Sequence, residues 1–268
     1  MSGLHILLPP SEGKELGGDG PSIVEAGSTF DDELGDARRT VREALVAVLE
    51  AAPDAVASKL LGVKGDALER AREADLSVAV APTLPAIERY TGVLYDHLDH
   101  ATLPERAREA AAGSVVIFSG LWGLVTPGDP IPDYRLKMGA NLAPLGKVST
   151  WWRPRLSPVL DARVRDGVVW DLLPQEHSAA WTSAGGWRAR ITVRFLDQRE
   201  GPDGPKLVTV SHWSKALKGA LARHLLLTGL TDPAGLVDFD HPAGYRFRPD
   251  LSTLDPDGGE AVFVKPPD

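Results

Sequence analysis

The sequence predicts a single domain that combines α-helices with β-strands. Short apolar runs rich in β-branched and aromatic residues are typical of buried strands, and they occur at residues 4–8, 115–118, 168–173 and 261–264. Apolar residues at helical spacing over residues 31–51 indicate an amphipathic helix. No internal repeat or low-complexity linker divides the chain, so we expect one domain over residues 1–268.

The second half of the chain predicts a hairpin followed by a helix. Residues 191–196 and 207–210 alternate well enough to form two antiparallel strands, with EGPDGP as the connecting turn. The helix after them carries Lys215, Lys218 and Arg223. The two lysines are three residues apart and therefore share one helix face.

Composition excludes several classes of protein. The net charge is −8 and the pI about 5.4, the opposite of a uniformly basic DNA-binding domain. The absence of cysteine excludes disulfides, thiolate metal sites and cysteine nucleophiles. No segment approaches ~20 continuous apolar residues, and the N-terminus lacks a basic leader before a long apolar run. We therefore expect a soluble, cytoplasmic monomer with no membrane partner.

The charge is nevertheless distributed unevenly along the chain. Residues 1–36 carry eight acidic residues and one basic residue. Residues 135–165 carry seven basic residues and one acidic residue, Asp161. A local anion-binding surface is therefore compatible with an acidic protein.

The stretch VVIFSGLWGLVTPGDPIPDYRLKMG, at residues 115–139, is a candidate site. Its apolar run ends at a glycine-containing turn, and the prolines that follow exclude a regular helix. Tyr134, Arg135 and Lys137 come at the end of that loop. A buried strand that leads into a polar, cationic loop is a common way to build a site. The same residues are equally compatible with a rigid structural crossover.

A second glycine-rich loop, SEGKELGGDGPS, follows the first predicted strand and contains Ser11 and Lys14. A strand that leads into a loop of this composition suggests phosphate binding. The GxxxxGK[ST] spacing of a nucleotide P-loop is missing, so a P-loop is not expected.

Residues 53–76 have the outline of a helix-hairpin-helix element. Helices are predicted on both sides of a connection formed by Gly62, Val63, Lys64 and Gly65. Glycines let a phosphate approach the backbone closely, and the N–H groups at the next helix N-terminus can bind it. The alternative is that Gly62 is a helix C-cap and Gly65 an ordinary turn residue.

The run WWRPR at residues 151–155 joins two tryptophans to Arg153 and Arg155. Aromatic rings beside guanidinium groups can stack bases and hold phosphates. They can equally be a core tryptophan with a neighbour that extends to solvent.

His97 and His100 are three residues apart, a spacing that two metal ligands can share. No third ligand is evident nearby, so a solvated helix face is the favoured interpretation. We expect no bound metal and no cofactor.

Several sequence blocks stand in an order that characterises one family. LLPPSEGK opens the chain, SGLWG and YRLKMG follow in the middle, VVWDLL comes later, and SHWSKALKGALAR comes near the end. In these blocks the chain resembles the peroxide stress protein YaaA family over nearly its whole length. The resemblance implies an α+β domain with a mixed β-sheet, surrounding helices, a helix-hairpin-helix element and a positively charged cleft. It also implies a bacterial protein that binds duplex or branched DNA and gives resistance to peroxide through lower free iron.

The first hypothesis is therefore a DNA-binding protein of the oxidative stress response. The hairpin would bind phosphate through its backbone, and basic side chains would make the cleft positive. The DNA- or phosphate-binding candidates are Ser11, Gly62, Val63, Lys64, Gly65, Lys137, Arg153, Arg155, Lys218 and Arg223.

The second hypothesis is an enzyme that acts on a nucleotide, a nucleobase or a similar anionic small molecule in the same cleft. The catalytic candidates are Lys14, Tyr134, Arg135 and Lys215. Lys14 or Lys215 would act as a desolvated amine nucleophile or as an acid or base, and Arg135 as a phosphate clamp. Convergence of these four residues on one pocket would favour the second hypothesis.

Overall fold

The structure is a computed structural model that describes residues 3–200, 204–209, 214–239, 241 and 243–266. Strands and helices are interspersed along the chain. The strands are β1 (Leu4–Leu8), β2 (Leu84–Pro85), β3 (Val115–Ser119), β4 (Gly123–Val125), β5 (Pro130–Ile131), β6 (Asn141–Leu142), β7 (Gly146–Lys147), β8 (Val168–Asp171), β9 (Ala189–Arg199), β10 (Lys206–Thr209), β11 (Arg246–Phe247), β12 (Thr253–Asp255) and β13 (Gly258–Lys265).

Most of the long helices precede β3 or flank β8. The α-helices are α1 (Ile23–Ala26), α2 (Asp31–Ala51), α3 (Asp54–Leu61), α4 (Asp66–Leu76), α5 (Ala86–Arg89), α6 (Val93–Leu98), α7 (Glu105–Ser114), α8 (Val148–Arg163), α9 (Gln175–Ser178) and α10 (Ser214–Thr228). Short 3₁₀ turns lie at His100–Thr102, Pro233–Asp238 and Pro249–Leu251. None of the described helices combines the length and the apolar character that crossing a lipid bilayer requires.

Among the described residues, the main sheet has nine strands. Seven follow one another in the order β11, β13, β9, β8, β1, β3, β4, while β10 pairs with β9 and β12 with β13. The strands β3, β1, β8, β9 and β13 run parallel. The pairs made by β4, β10, β11 and β12 are antiparallel. The predicted mixed sheet with surrounding helices is confirmed, and so is the predicted antiparallel pairing of β9 with β10.

The strands at the centre of the sheet are buried on both faces. Every residue of β1, β3 and β8 is buried, and Ile6 of β1 lies between Val115 of β3 and Trp170 of β8. Parallel strands covered on both faces form continuous apolar runs, which is why the sequence shows such runs here. One hydrophobic core joins these strands to α2, α7, α8 and α10, as expected of a single domain.

The order of the parallel strands indicates where a ligand can bind. Numbered along the chain as β1, β3, β8, β9 and β13, they stand in the order 2-1-3-4-5, as in flavodoxin-like doubly wound sheets. In such sheets, ligands bind outside the carboxyl ends of the strands, where successive connections leave in opposite directions. That switch point lies here between β1 and β8.

The segment at residues 53–76 consists of α3 and α4 joined by a four-residue connection. Gly62 has a φ of 68° and ends α3, its N–H donating to the Ser58 carbonyl. Gly65 has a φ of 56° and precedes α4. Glycine is favoured at both positions because residues that have a side chain rarely adopt a positive φ. The Ser58 hydroxyl donates to the Val63 carbonyl at 2.6 Å, which closes the turn.

Candidate functional site

Three segments meet at the carboxyl edge of the sheet, beside β1 and β8. They are the loop after β1, the start of α9 after β8, and residues 134–137. Together they enclose a small pocket of about 70 Å³ at the switch point. We name it the Lys14 pocket, and its walls are Pro10, Ser11, Glu12, Lys14, Tyr134, Arg135, Leu136, Lys137, Glu176 and His177.

The Lys14 ammonium is packed against two tyrosines. Its Nζ donates to the Ser11 carbonyl oxygen at 3.1 Å. It lies 4.2 Å from the centre of the Tyr134 ring and 5.6 Å from the centre of the Tyr90 ring. Ring contacts favour the cation, but burial removes water from the ammonium and lowers the pKa of Lys14 to about 8. Part of this amine is therefore uncharged near neutral pH.

Tyr134 is fixed in the pocket wall by hydrogen bonds between hydroxyl groups. Its hydroxyl lies 2.7 Å from that of Tyr90 and 2.7 Å from that of Ser119. The Ser119 hydroxyl oxygen also accepts from the Trp122 N–H at 2.9 Å. Burial raises the pKa of Tyr134 to about 12. Tyr134 therefore stays protonated and offers its ring face to Lys14.

Glu12 joins two of the predicted cations. Its carboxylate accepts from Arg135 Nη2 at 2.8 Å and from Lys137 Nζ at 2.9 Å. The hydrogen bond from Lys137, together with the charges of Lys137 and Arg135, holds the pKa of Glu12 below its ordinary value. The Glu12 side chain is 60% exposed. An incoming anion can therefore compete with this carboxylate for the same two cations.

Arg135 is held through both its backbone and its side chain. Its N–H donates to Asp75 Oδ1 at 2.7 Å, and its Nε donates to the Leu61 carbonyl at 2.8 Å. Asp75 is fully buried, and its Oδ2 has no hydrogen-bond partner among the described residues. Burial raises the pKa of Asp75 to about 8. The carboxyl is therefore largely protonated at neutral pH.

Close backbone packing explains the position of residues 134–137. A Cβ on Gly120 would lie 2.3 Å from the Leu136 carbonyl oxygen, so only glycine allows this approach at the end of β3. On the other side, the Gly139 N–H donates to Glu176 Oε1 at 2.7 Å. The two glycines thus hold the segment between β3 and the start of α9.

The proline-rich stretch before this segment is a fixed crossover. Asp129 is buried, and its carboxylate accepts from the N–H groups of Thr29 at 2.9 Å and Thr126 at 2.7 Å. These bonds tie the stretch to the chain just before α2. The two interpretations of residues 115–139 are therefore compatible, because the prolines form the crossover and the following residues line a pocket.

A wider groove of about 700 Å³ continues from the Lys14 pocket and shares Lys137 and Glu176 with it. Lys59 and Lys147 add two exposed cations, so three lysines line the groove together with Glu176. We name it the basic groove; its walls are Lys59, Leu60, Gly62, Lys137, Gly139, Ala140, Lys147, Gln175, Glu176 and Ala179. Arg153 lies at its edge, where its Nε donates to the Ala179 carbonyl at 2.7 Å.

The α3–α4 connection borders the basic groove. A Cβ on Gly62 would lie 3.3 Å from Cε and Nζ of Lys137, and Lys64 in the same connection is exposed. Asp66 and Glu69 lie in the first turn of α4. Their negative charge weakens the attraction of the α4 N-terminus for a phosphate.

Predicted residues of α10 lie elsewhere. Lys215 is exposed and is not among the residues that line the pocket or the groove. Lys218 Nζ donates to the Leu172 carbonyl at 2.8 Å, and Arg223 Nη1 donates to the Leu98 carbonyl at 3.0 Å. Lys218 and Arg223 thus tie α10 to the chain after β8 and to the end of α6.

The WWRPR run divides between the core and the surface. Trp152 is fully buried, and its Nε1 donates to the Gly120 carbonyl at 2.8 Å. The Arg155 guanidinium stacks 3.7 Å from the centre of the Trp151 ring, outside the residues that line the groove. Trp152 is therefore a core residue, whereas Trp151 and Arg155 form an aromatic–guanidinium pair outside the core.

Sequence reasoning did not identify all the residues of the site. Asp75 lies in a charged helical segment, where a buried carboxyl has no local signal. Glu12 and Lys59 read as ordinary surface residues. Glu176 and His177 form one wall of the Lys14 pocket. Their position directly after a predicted strand is the one sequence signal that points to them. Burial lowers the pKa of His177 to about 4, so this wall carries a neutral imidazole.

Comparison with known families adds an independent observation. A family model described as "Peroxide stress protein YaaA" matches residues 4–251. The chain belongs to the YaaA peroxide stress protein family. The match includes every residue of the Lys14 pocket and the basic groove.

Curated relatives carry the family label UPF0246 and are similar over most of their length. A relative from Streptomyces coelicolor is 41% identical over 245 residues, which are 90% of this chain and 90% of the relative. One from Corynebacterium glutamicum is 36% identical over 248 residues, 88% of this chain and 95% of the relative. One from Ruegeria pomeroyi is 30% identical over 271 residues, 97% and 99% of the two chains.

Proposed function

We propose that this YaaA-family protein binds DNA in the basic groove and receives one nucleotide in the Lys14 pocket. The observation that carries the proposal is the continuity of the two sites through Lys137 and Glu176. The groove offers cations to a phosphate backbone. The pocket offers a half-buried amine and a guanidinium to the unit that leaves the strand.

Electrostatics supports binding that is confined to the groove. Lysines that neutralise phosphates release condensed counterions, and this release is a sequence-independent source of affinity. The net charge of −8 repels DNA from the rest of the surface. In this proposal Lys59, Lys137 and Lys147 supply most of the attraction.

The α3–α4 connection has a secondary role in the proposal. Gly62 and Gly65 permit close approach of a backbone, and exposed Lys64 adds a cation beside the groove. This is the role of a helix-hairpin-helix element. Since acidic residues occupy the first turn of α4, we assign less of the affinity to this connection than to the groove lysines.

The family description connects the proposal to peroxide stress. We propose that DNA binding serves peroxide resistance, in the cytoplasm, where peroxide and iron generate radicals that attack DNA. Lower free iron, which the resemblance implies, belongs to the same proposal. Chelatable iron measured in peroxide-treated cells with and without the protein checks it, and equal iron levels would reject that part.

Charge reversal in the groove tests DNA binding. The variant Lys59→Glu/Lys147→Glu is expected to lose about 10-fold or more in affinity for duplex and four-way-junction DNA, because two attractive contacts become repulsive. Arg106→Glu, at an exposed position of α7, is the matched control and should change affinity less than about 2-fold. Equal losses in both variants, or no binding by the wild type, would reject the groove.

The second candidate function is turnover of a nucleotide, a nucleobase or a similar small anion in the Lys14 pocket. The convergence of Lys14, Tyr134 and Arg135 favours it. Nucleoside monophosphates that bind should raise the melting temperature of the wild type but not that of Lys14→Met. Chromatography of the same mixtures detects a product, and intact nucleotides without any thermal shift would reject this function.

A further inference from the structure

Lys14 is a primary amine in a small pocket, and no carboxylate among the described residues is bonded to it. Its Nζ donates to the Ser11 carbonyl at 3.1 Å, and it forms no salt bridge within the part of the chain that the structure describes. Lys137, in the same pocket, differs because Glu12 neutralises it at 2.9 Å. An amine without a bound carboxylate can present its lone pair once it has lost a proton.

The surroundings of Lys14 make that proton easy to lose. Burial outweighs the attraction of nearby acidic groups and brings the pKa of Lys14 to about 8. At pH 8 the neutral fraction is therefore about 100-fold larger than for an ordinary lysine. The charged groups that act on the ammonium are Asp133, Asp75, Arg135 and Glu12, and the rings of Tyr90 and Tyr134 lie beside it. Both tyrosines stay protonated because burial raises their pKa values.

We infer that Lys14 forms an imine with the aldehyde of a phosphate-bearing sugar, and that an abasic nucleotide within DNA is the fitted form of that sugar. The inference rests on the proposed binding of DNA in the basic groove. It adds a substrate class and a covalent step that groove binding alone does not require.

The size and the connections of the pocket favour a sugar that lacks its base. The pocket has a volume of only about 70 Å³, whereas the groove that leads into it has about 700 Å³. A ring-opened deoxyribose is smaller than a nucleotide and carries its aldehyde at C1′. Its flanking phosphates would meet Lys137 at the shared wall and Arg135 inside the pocket.

The step balances without any further reactant. The Lys14 Nζ lone pair attacks C1′ and forms a C–N bond, and the carbonyl π pair moves to oxygen. The two amine hydrogens and the aldehyde oxygen then leave as water, and a C=N bond remains. The step is neither an oxidation nor a reduction, and it is reversible until a hydride donor is added.

Borohydride trapping tests the inference directly. The full chain is incubated with a duplex oligonucleotide that contains one abasic site, reduced with sodium borohydride, and run on a denaturing gel. We expect a covalent protein–DNA band, with peptide mapping that locates the secondary amine on Lys14. Its initial yield should rise about 16-fold from pH 6.5 to pH 8, as the free amine forms. No band, or an adduct on another lysine, would overturn the inference.

Variants separate chemistry from folding and from binding. Lys14→Arg keeps the cation but removes the primary amine, so the trapped fraction of the DNA that it binds, with binding measured by fluorescence anisotropy, should fall at least about 100-fold. Lys215→Ala, exposed on α10, should trap as the wild type does. If Lys14→Arg does not fold, peptide mapping of the wild-type adduct still shows whether Lys14 is the reactive lysine.

The outcomes distinguish this inference from the proposed function. DNA binding without trapping overturns the imine and leaves the groove intact, whereas no DNA binding overturns the proposed function. A parallel reaction with free ribose 5-phosphate identifies the source of the aldehyde. Trapping on Lys14 with this sugar but not with abasic DNA would support the amine chemistry and reject the nucleotide in DNA.

Discussion

At the scale of single residues, the site depends on ionisable groups in unusual environments. Asp75 is a fully buried carboxyl that accepts from the Arg135 N–H, and Lys14 is an amine enclosed beside two tyrosine rings. Burial disfavours the charged form of each, so the pKa values of the acid and the base both shift to about 8. Both groups therefore change protonation state close to neutral pH.

Asp75 should make stability fall as pH rises. Its folded-state pKa of about 8 lies far above the ordinary value near 3.8, so between pH 4 and 8 unfolding releases a proton that folding retains. Asp75→Asn keeps an oxygen acceptor for the Arg135 N–H. It removes the carboxyl whose titration lowers the stability as pH rises. The melting temperature of the variant relative to the wild type should increase by several degrees from pH 5 to pH 8. The exposed control Asp32→Asn should give a constant difference, and a constant difference for Asp75→Asn would refute the assignment.

Glu12 should compete with an incoming phosphate. Glu12→Gln removes the negative charge between Arg135 and Lys137 and frees both cations for a ligand. Affinity for duplex DNA, measured by anisotropy at low salt, should rise several-fold. Glu15→Gln removes the same charge outside the lining of the pocket and serves as control. Equal affinities for both variants would mean that these two cations do not contact DNA.

At the scale of elements, the site depends on how closely the 134–137 segment packs on the sheet. Gly120 admits the Leu136 carbonyl at a distance that any Cβ would block, and Asp129 fixes the preceding crossover to the chain before α2. The pocket exists because this segment lies across the ends of β1 and β8. Its geometry is therefore sensitive to changes that do not touch a ligand.

Gly120→Ala should displace the segment. The added methyl would lie 2.3 Å from a backbone oxygen, so either β3 or residues 134–137 must move. We expect a loss of stability of about 2 kcal/mol or more and weaker DNA binding, measured by thermal melting and anisotropy. Gly35→Ala, inside α2 with no atom within 4 Å of the new Cβ, should be neutral or stabilising by up to about 1 kcal/mol. Similar behaviour of the two variants would contradict the packing argument.

The elements also set how much the sequence could predict. The helix at residues 31–51, the strands β1, β3, β8, β9, β10 and β13 and the antiparallel pairing of β9 with β10 follow local periodicity, and their prediction from the sequence succeeds. The predicted turn EGPDGP lies partly outside the described residues. Lys14, Tyr134 and Arg135 were candidates from the sequence, but only the structure shows that these three line one pocket and that Lys215 does not. Asp75 was not a candidate, because a helical position 60 residues from Arg135 becomes part of the site only through tertiary packing. For the same reason, the sequence could not distinguish Lys218 from a ligand-binding lysine. In the structure, Lys218 donates to the Leu172 carbonyl just after β8.

At the scale of the whole molecule, an acidic protein carries a basic groove at the switch point between the parallel strands of its sheet. The net charge of −8 coexists with three lysines around a groove of about 700 Å³. A local cluster is sufficient for binding at short range, because salt screens charges more than about 10 Å away. We therefore expect moderate affinity for DNA with a strong salt dependence, rather than the tight binding of a uniformly basic protein.

The slope of log affinity against log salt concentration reports how many phosphates the basic groove contacts. Each phosphate contact contributes roughly 0.9 to the slope for duplex DNA. Neutralising two groove lysines in Lys59→Gln/Lys147→Gln should therefore reduce the magnitude of the slope by about two, while Arg106→Gln leaves it unchanged. A slope near zero for the wild type, or an identical slope in the double variant, would contradict a phosphate backbone in the basic groove.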